Sequence, residues 1–170
     1  MPDWILLVIG VLLTIGTGFF VASEFALVNL DRSDLEVRHA RGEKRLTAPI
    51  SALKRTSTHL SSAQLGITIT TLLAGYTLEP SLSHLIAFPL EALGMPKAAV
   101  EVVAYVLAVA LATLLSMIIG ELVPQNLALA LPRATGKLVL PFQVGFTAVF
   151  KPAVVALNGT ANGILRLIGI

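Results

Sequence analysis

Apolar residues along the chain gather into long runs separated by short polar stretches. Three runs, at about 4–28, 60–93 and 98–131, are long enough to cross a bilayer, which takes about 20 residues of helix. The pattern predicts an all-α membrane protein with three transmembrane helices, whose core covers residues 1–137.

Proline and glycine subdivide the second and third runs. Pro80 and Pro89 should each end or kink a helix, so we expect a helix from about 61 to 77, a break, and a shorter segment ending near 93. The sequence Gly-Met-Pro-Lys at 94–97 predicts a turn before the third run.

The polar segment 31–59 carries seven of the chain's twelve Lys and Arg residues. Basic loops stay in the cytoplasm, so this segment is predicted to be cytoplasmic and the N-terminus to lie outside. Ser33 with Glu36 three positions later suggests a capped helix start, and Arg-Gly-Glu at 41–43 suggests a turn. A pair of short helices at the membrane surface is expected.

The last segment, 138–170, is apolar but is broken by Pro141 and Pro152 and carries Lys151 and Arg166. We interpret it as a juxtamembrane amphipathic helix on the cytoplasmic interface. A fourth span is the alternative, because the segment is long enough to cross. The chain is expected to be either a complete small protein or the membrane domain of a longer one.

The composition is typical of a membrane protein and argues against several classes of function. Charged residues make up 13% of the chain, against about 25% in soluble domains. The net charge of +2 gives no general argument for nucleic-acid binding, and the lack of cysteine excludes disulfides and thiolate metal sites. No phosphate loop, zinc-type histidine pair or Ser/His/Asp set is visible, so no enzyme is expected. His59 is interpreted as loop polarity.

Two acids, Glu24 and Glu121, fall within the apolar stretches 4–28 and 102–131. A carboxylate in hydrocarbon costs roughly 2.5 kcal/mol or more, so each should face the protein interior or a wet cavity. A membrane chain with two such acids is a candidate for handling cations. The alternative for Glu24 is an interfacial residue or a partner for a nearby arginine.

Pro124 lies three residues after Glu121. Proline has no N–H and its ring clashes with the carbonyl four residues earlier, here that of Gly120. The freed carbonyls beside the carboxylate of Glu121 are oxygens of the kind that a hard cation needs. A functionally idle kink is the alternative.

Hydroxyl groups follow one face of the second run. Thr68 and Thr71 are three residues apart and share a face that Ser61 and Gln64 extend. This stripe is predicted to complete the shell around a cation. The alternative is that each threonine bonds the backbone one turn back.

Three strings together resemble the transmembrane domain of the CorC/cyclin-M (CNNM) family of magnesium transporters. They are GFFVASEFAL at 18–27, AQLGIT at 63–68 and GELVP at 120–124. The resemblance implies a three-span homodimer with a cytoplasmic juxtamembrane helix in the cell's inner (plasma) membrane. It implies Mg²⁺ held by oxygens of Ser23, Gly120 and Glu121, and further by Glu24 and Ser116.

This chain departs from the family pattern at two positions. Many members have asparagine where Thr71 stands and lysine where Gln125 stands, which bears on the identity of the ion and on the charge beside the kink. Family members usually carry cytoplasmic CBS domains that bind ATP. The 170 residues contain none, so ATP is expected to act only through such domains.

The function expected from these observations is magnesium transport, with export in exchange for Na⁺ as the favoured direction and coupling. The competing hypothesis is a non-transporting dimeric membrane anchor or magnesium sensor for cytoplasmic domains. The partners expected are therefore the lipid bilayer, a second copy of the chain, Mg²⁺ and Na⁺.

Overall fold

A computed structural model describes residues 2–169, and every regular element in that range is a helix. The helices are α1 (Asp3–Asn29), α2 (Arg32–Ala40), α3 (Thr47–Leu53), α4 (Thr56–Ala92), α5 (Lys97–Ala130) and α6 (Pro132–Leu167). The all-α class predicted from the sequence is confirmed. Within the described range α1, α5 and α6 are long and apolar enough to span a membrane.

Two of these three helices, α1 and α5, coincide with predicted spans. The third, α6, lies in the segment that was predicted to rest on the membrane surface. α1 covers the first apolar run and α5 covers the third. α6 covers the segment from residue 138 as far as Leu167; a fourth span was the alternative for this segment, and the length and composition of α6 would allow it to cross. The surface position of this segment stays a prediction.

The predicted break after residue 77 is wrong, because α4 is one continuous helix with Pro80 and Pro89 inside it. Proline removes a single ladder hydrogen bond, here the one that residue 80 would otherwise give to the Tyr76 carbonyl. Leu78 and Leu82, on either side of Pro80, are buried in a core with α5, and this packing supports the helix across the proline.

The polar segment forms the expected pair of short helices, α2 and α3. Asp31 rather than Ser33 caps α2, since the Asp31 carboxylate accepts a hydrogen bond from the Ser33 backbone N–H at 2.8 Å. The predicted turn is present, with Gly42 at a φ of 91°. Leu35 and Leu46 are buried beneath the two helices.

The chain divides into two compact units. The first unit comprises the chain up to Gly18 together with Ile67–Pro124. Its apolar core joins α4 to α5, and its buried members are Ala74, Leu78, Leu82, Ala108 and Ala112. A Cβ at Gly10 of α1 would lie 2.5 Å from Leu78 Cγ, so glycine allows α1 to approach α4 closely, as small residues do between membrane helices.

The second unit comprises Phe19–Gly66 and the chain from Gln125 onward. Its core joins α1, α3 and α6, and its buried members are Ala22, Leu27, Ala52, Val139 and Leu140. Aromatic side chains extend this core: the ring centroids of Phe20 in α1 and Phe146 in α6 are 4.7 Å apart. Gly66 leaves room for Phe20, because a Cβ there would lie 2.5 Å from that ring.

His59 is not the loop residue that the sequence suggested. It lies in the first turn of α4 and is buried, with its Nδ1 3.0 Å from the Thr147 hydroxyl of α6. That hydroxyl also lies 2.9 Å from the Ser62 hydroxyl, and Gln143 donates to the His59 carbonyl at 3.2 Å. His59 is buried because α6, which lies far along the chain, covers the start of α4.

Candidate cation site

A π-helical segment, Ser116–Leu122, interrupts α5 immediately before Pro124. The Val123 N–H donates to the Ile118 carbonyl, five residues earlier. Pro124 has no N–H to give to Gly120, so the Gly120 carbonyl lacks the donor that an ordinary α-helix would supply. The predicted irregularity therefore takes the form of a π-helical turn, a form frequent at functional sites.

α1 packs directly on the backbone of this segment. Gly120 is buried, and a Cβ there would lie 3.5 Å from Thr14 Cγ2 and 3.6 Å from Thr17 Cβ. On the opposing helix, a Cβ at Gly18 would lie 3.1 Å from the Ile119 carbonyl oxygen and 2.9 Å from Pro124 Cγ. The glycines hold two backbones in contact where the helix ladder is irregular.

A cavity of about 580 Å³ lies beside the π-helical segment, between α4 and α5. It brings together three of the predicted cation ligands, Thr71, Ser116 and Glu121, and adds a second carboxylate, Glu79. The lining residues are Thr71, Leu72, Gly75, Tyr76, Glu79, Ala112, Thr113, Ser116, Met117 and Glu121. Carboxylate and hydroxyl oxygens on its wall are ligands for a hard cation.

Ser23 and Glu24 belong to the second unit. Ser23 is fully buried, and its hydroxyl donates to the Phe19 carbonyl at 2.8 Å, which leaves its oxygen lone pairs available as acceptors. Glu24 is half-buried, with Oε1 3.5 Å from Gln64 Nε2. Within residues 2–169 no arginine or lysine lies within 4.0 Å of the Glu24 carboxylate, so the arginine-partner interpretation is not supported.

The residues of the predicted hydroxyl stripe on α4 do not all line the same site. Ser61 donates to Asn158 of α6 at 2.8 Å, in the second unit, whereas Thr71 faces the cavity of the first unit. Thr68 is exposed. Thr70, which the prediction did not include, meets α1, and its hydroxyl lies 2.8 Å from that of Thr17.

The alternative interpretation of the threonines also has examples in the structure. The Thr14 hydroxyl donates to the Gly10 carbonyl at 2.9 Å, and the Thr113 hydroxyl donates to the Val109 carbonyl at 2.7 Å. These bonds to the backbone one turn back leave the oxygen lone pairs unused.

Glu79 is the cavity residue that sequence reasoning missed. Thr71, Gly75 and Glu79 follow a spacing of four along α4, which places them on one helix face. That signal was obscured because Pro80 suggested that the helix ended there. Among residues 2–169, no three His, Asp or Glu side chains form a group able to hold a metal, so hydroxyl and carbonyl oxygens would have to supply most ligands.

Comparison with known proteins gives a family match over nearly the whole chain. The family model described as cyclin M transmembrane N-terminal domain matches residues 8–170. The "UPF0053 protein MT1890" of Mycobacterium tuberculosis is 42% identical over 171 residues, which covers 100% of this chain and 38% of that protein. The "UPF0053 protein YhdT" of Bacillus subtilis is 33% identical over 97% of this chain and 36% of its own length.

A third similar protein bears no functional name. The "Uncharacterized protein MT1889" of Mycobacterium tuberculosis is 36% identical over 94% of this chain and 45% of its own length. The chain therefore spans less than half the length of the curated relatives it matches.

Proposed function

The chain belongs to the cyclin M transmembrane N-terminal domain family, and from that premise we propose that it carries a divalent cation, Mg²⁺, across the cell membrane. Its helices and its family make it a multi-pass membrane protein. The observation that carries the proposal is the cavity beside the π-helical segment, where Glu121, Ser116 and Thr71 converge.

The chemistry of this cavity suits a hard cation. Mg²⁺ takes about six oxygen ligands at about 2.1 Å and keeps some of its water. Glu121 supplies charge, Ser116 and Thr71 supply hydroxyl oxygens, and the cavity has room for water. Irregular backbone at membrane depth is tolerated where it lines such a cavity. Gly120, Ser23, Glu24 and Thr68 stay predicted ligands.

The direction and setting of transport belong to the same proposal. The basic segment between α1 and α4 favours a cytoplasmic position for that side, with the N-terminus outside the plasma membrane. Export of Mg²⁺ in exchange for Na⁺, by a homodimer and without enzymatic chemistry, is the form we propose. ATP would act through domains such as those that the longer relatives have room to carry.

A flux measurement tests the proposal. The purified chain is reconstituted in liposomes with a magnesium-sensitive dye, and flux is recorded with and without a Na⁺ gradient. Glu121→Gln keeps the shape but removes the charge, so we expect flux to fall at least about tenfold, the equivalent of about 1.4 kcal/mol. Glu101→Gln is the matched control, because this exposed acid lies on α5 outside the cavity. Equal flux in Glu121→Gln and Glu101→Gln would refute the assignment of the site.

One observation favours a second function. The relatives are more than twice as long as this chain, which suits a dimeric membrane anchor or magnesium sensor that serves other domains. In that case folded protein would bind Mg²⁺ through Glu121, yet neither this chain nor a full-length relative would show flux. Flux by the full-length protein alone would instead mean that transport needs the remaining domains.

A further inference from the structure

A second cavity, of about 410 Å³, lies in the second unit. It is bounded by the end of α3, the first turn of α4 and the middle of α6. Its lining residues are Ser51, Lys54, Arg55, Thr58, His59, Val144, Thr147, Ala148 and Lys151. The four contributed by α6 follow the 3–4 residue spacing of one helix face. None of the lining residues belongs to the cation cavity of the first unit.

The charge of this cavity is uniformly positive. Lys54, Arg55 and Lys151 are exposed at its rim, and no acid is among its lining residues. In the described part of the chain, none of the three cations lies within 4.0 Å of a carboxylate.

Some basic residues elsewhere in the second unit have acidic partners. Arg32 pairs with Glu36 at 2.8 Å, Arg38 pairs with Asp34 at 2.8 Å, and Lys137 pairs with Glu43. The second unit therefore pairs some of its cations with its own carboxylates, whereas the three at the cavity are available to an external anion.

The base of the cavity is polar and fixed. His59 and Thr147 are both buried there, with Nδ1 and Oγ1 3.0 Å apart, and Gln143 donates to the His59 carbonyl. Ser51 and Thr58 add hydroxyl groups nearer the rim. Cationic side chains around a set of hydroxyl donors are the groups that recognise phosphate oxygens.

The cavity also adjoins apolar surface. Val149 and Phe150, next to Lys151 on α6, are 73% and 37% exposed. Basic residues at the cytoplasmic surface of a membrane attract anionic lipid headgroups. We propose that this basic cavity binds a phosphate group, supplied by an anionic phospholipid of the cytoplasmic leaflet or by a soluble phosphate.

Calorimetric titration of the whole chain in neutral detergent tests this inference. The probes are dihexanoyl phosphatidic acid, dihexanoyl phosphatidylcholine and inorganic phosphate. The variant Lys54→Gln/Lys151→Gln removes two rim charges, and Arg41→Gln/Lys44→Gln removes two exposed charges of the same segment outside the cavity. Lys54→Arg/Lys151→Arg preserves the charge, and circular dichroism verifies that each variant is folded.

Phosphate recognition predicts that Lys54→Gln/Lys151→Gln raises the Kd about 30-fold, or about 2 kcal/mol at 1.4 kcal/mol per tenfold. Arg41→Gln/Lys44→Gln and the arginine variant should stay close to the wild-type affinity. Tight binding of phosphatidic acid with weak binding of inorganic phosphate would identify a lipid as the source. Equal binding of both would identify a soluble phosphate. No binding of either anion, or an equal loss in both charge-removing variants, would overturn the inference.

Discussion

At the scale of single residues, Gly18 shows how closely α1 and α5 are packed. A Cβ there would lie 2.9 Å from Pro124 Cγ and 3.1 Å from the Ile119 carbonyl oxygen, and backbone oxygen cannot move aside as a flexible side chain can. We predict that Gly18→Ala lowers the free energy of unfolding by about 1–3 kcal/mol, the usual effect of overpacking. Denaturant unfolding in detergent, followed by circular dichroism, measures it.

The control for Gly18→Ala is another helical glycine with free space around it. A Cβ at Gly145 of α6 would meet nothing within 4 Å, so Gly145→Ala should leave stability unchanged or raise it by up to about 1 kcal/mol through helix propensity. Similar stability changes in the two variants would show that α1 does not pack on the π-helical segment as described.

The sequence could identify a site residue where a charged side chain stands among apolar neighbours along the chain. Glu121 stood out because a carboxylate interrupts an apolar run, and the structure places it at a cavity with Ser116 and Thr71. Glu79 did not stand out, because it precedes a proline and resembled the end of a helix. The burial of His59 depends on Thr147, 88 positions away, and no local pattern encodes that contact.

At the scale of elements, the π-helical segment is the feature that links Pro124 to the cation cavity. We predict that Pro124→Ala restores an N–H donor to the Gly120 carbonyl and makes α5 more regular. A carbonyl that accepts a hydrogen bond within the helix is a poorer ligand for an ion. Losing one polar contact to a charged group costs about 1.5–3 kcal/mol, taking a hydrogen bond to a charged group as the measure. Affinity for Mn²⁺, a magnetic probe of the site, should therefore fall about tenfold or more.

Electron paramagnetic resonance titration measures that affinity, and circular dichroism monitors the fold. Pro89→Ala is the matched control, since Pro89 also lies inside a helix but is not next to the π-helical segment. Unchanged Mn²⁺ affinity in Pro124→Ala, with the fold intact, would mean that the irregular backbone has no part in binding.

The contact between the α2–α3 turn and α6 predicts a dependence of stability on pH. The hydrogen bond from Lys137 lowers the pKa of Glu43, and nearby positive charge lowers it further. A lowered folded-state pKa means that the stabilisation is present above the ordinary pKa and is lost as pH falls through the folded value. We predict that acidification below about pH 4.5 lowers the melting temperature of the wild type more than that of Glu43→Gln.

Differential scanning fluorimetry across pH 3–7, at fixed salt, makes the comparison. Glu36→Gln is the control, because Glu36 pairs with Arg32 within α2 alone. Parallel pH profiles for the wild type and Glu43→Gln would exclude the ion pair as a link between the turn and α6.

The sequence predicted that most of the helices exist, but it did not predict that α4 continues through its prolines. Long apolar runs indicated α1 and α5, and Gly42 and Gly94 marked turns that both have positive φ. The continuity of α4 through Pro80 was missed because proline alone does not determine whether a helix ends or bends. That outcome depends on packing with other helices, such as the burial of Leu78 and Leu82 against α5 on either side of Pro80.

At the scale of the whole molecule, the path of the chain across the membrane depends on α6. Its length and composition would allow a crossing, as would those of α1 and α5. Its sequence nevertheless carries Lys151, Arg166, Pro141 and Pro152, and a crossing would place Arg166 outside, against the preference of basic residues for the cytoplasm. We therefore predict that α6 stays on the cytoplasmic side.

Because the chain has no cysteine, a single introduced thiol reports its own side of the membrane. Lys44→Cys marks the predicted inside, Lys97→Cys marks the predicted outside, and Gly163→Cys reports the far end of α6, where a Cβ meets nothing within 4 Å. In intact cells a membrane-impermeant maleimide should label Lys97→Cys alone. Opening the cells should add Lys44→Cys and Gly163→Cys together. Labelling of Gly163→Cys in intact cells would instead make α6 a span, and would move whatever follows it in the longer relatives to the other side of the membrane.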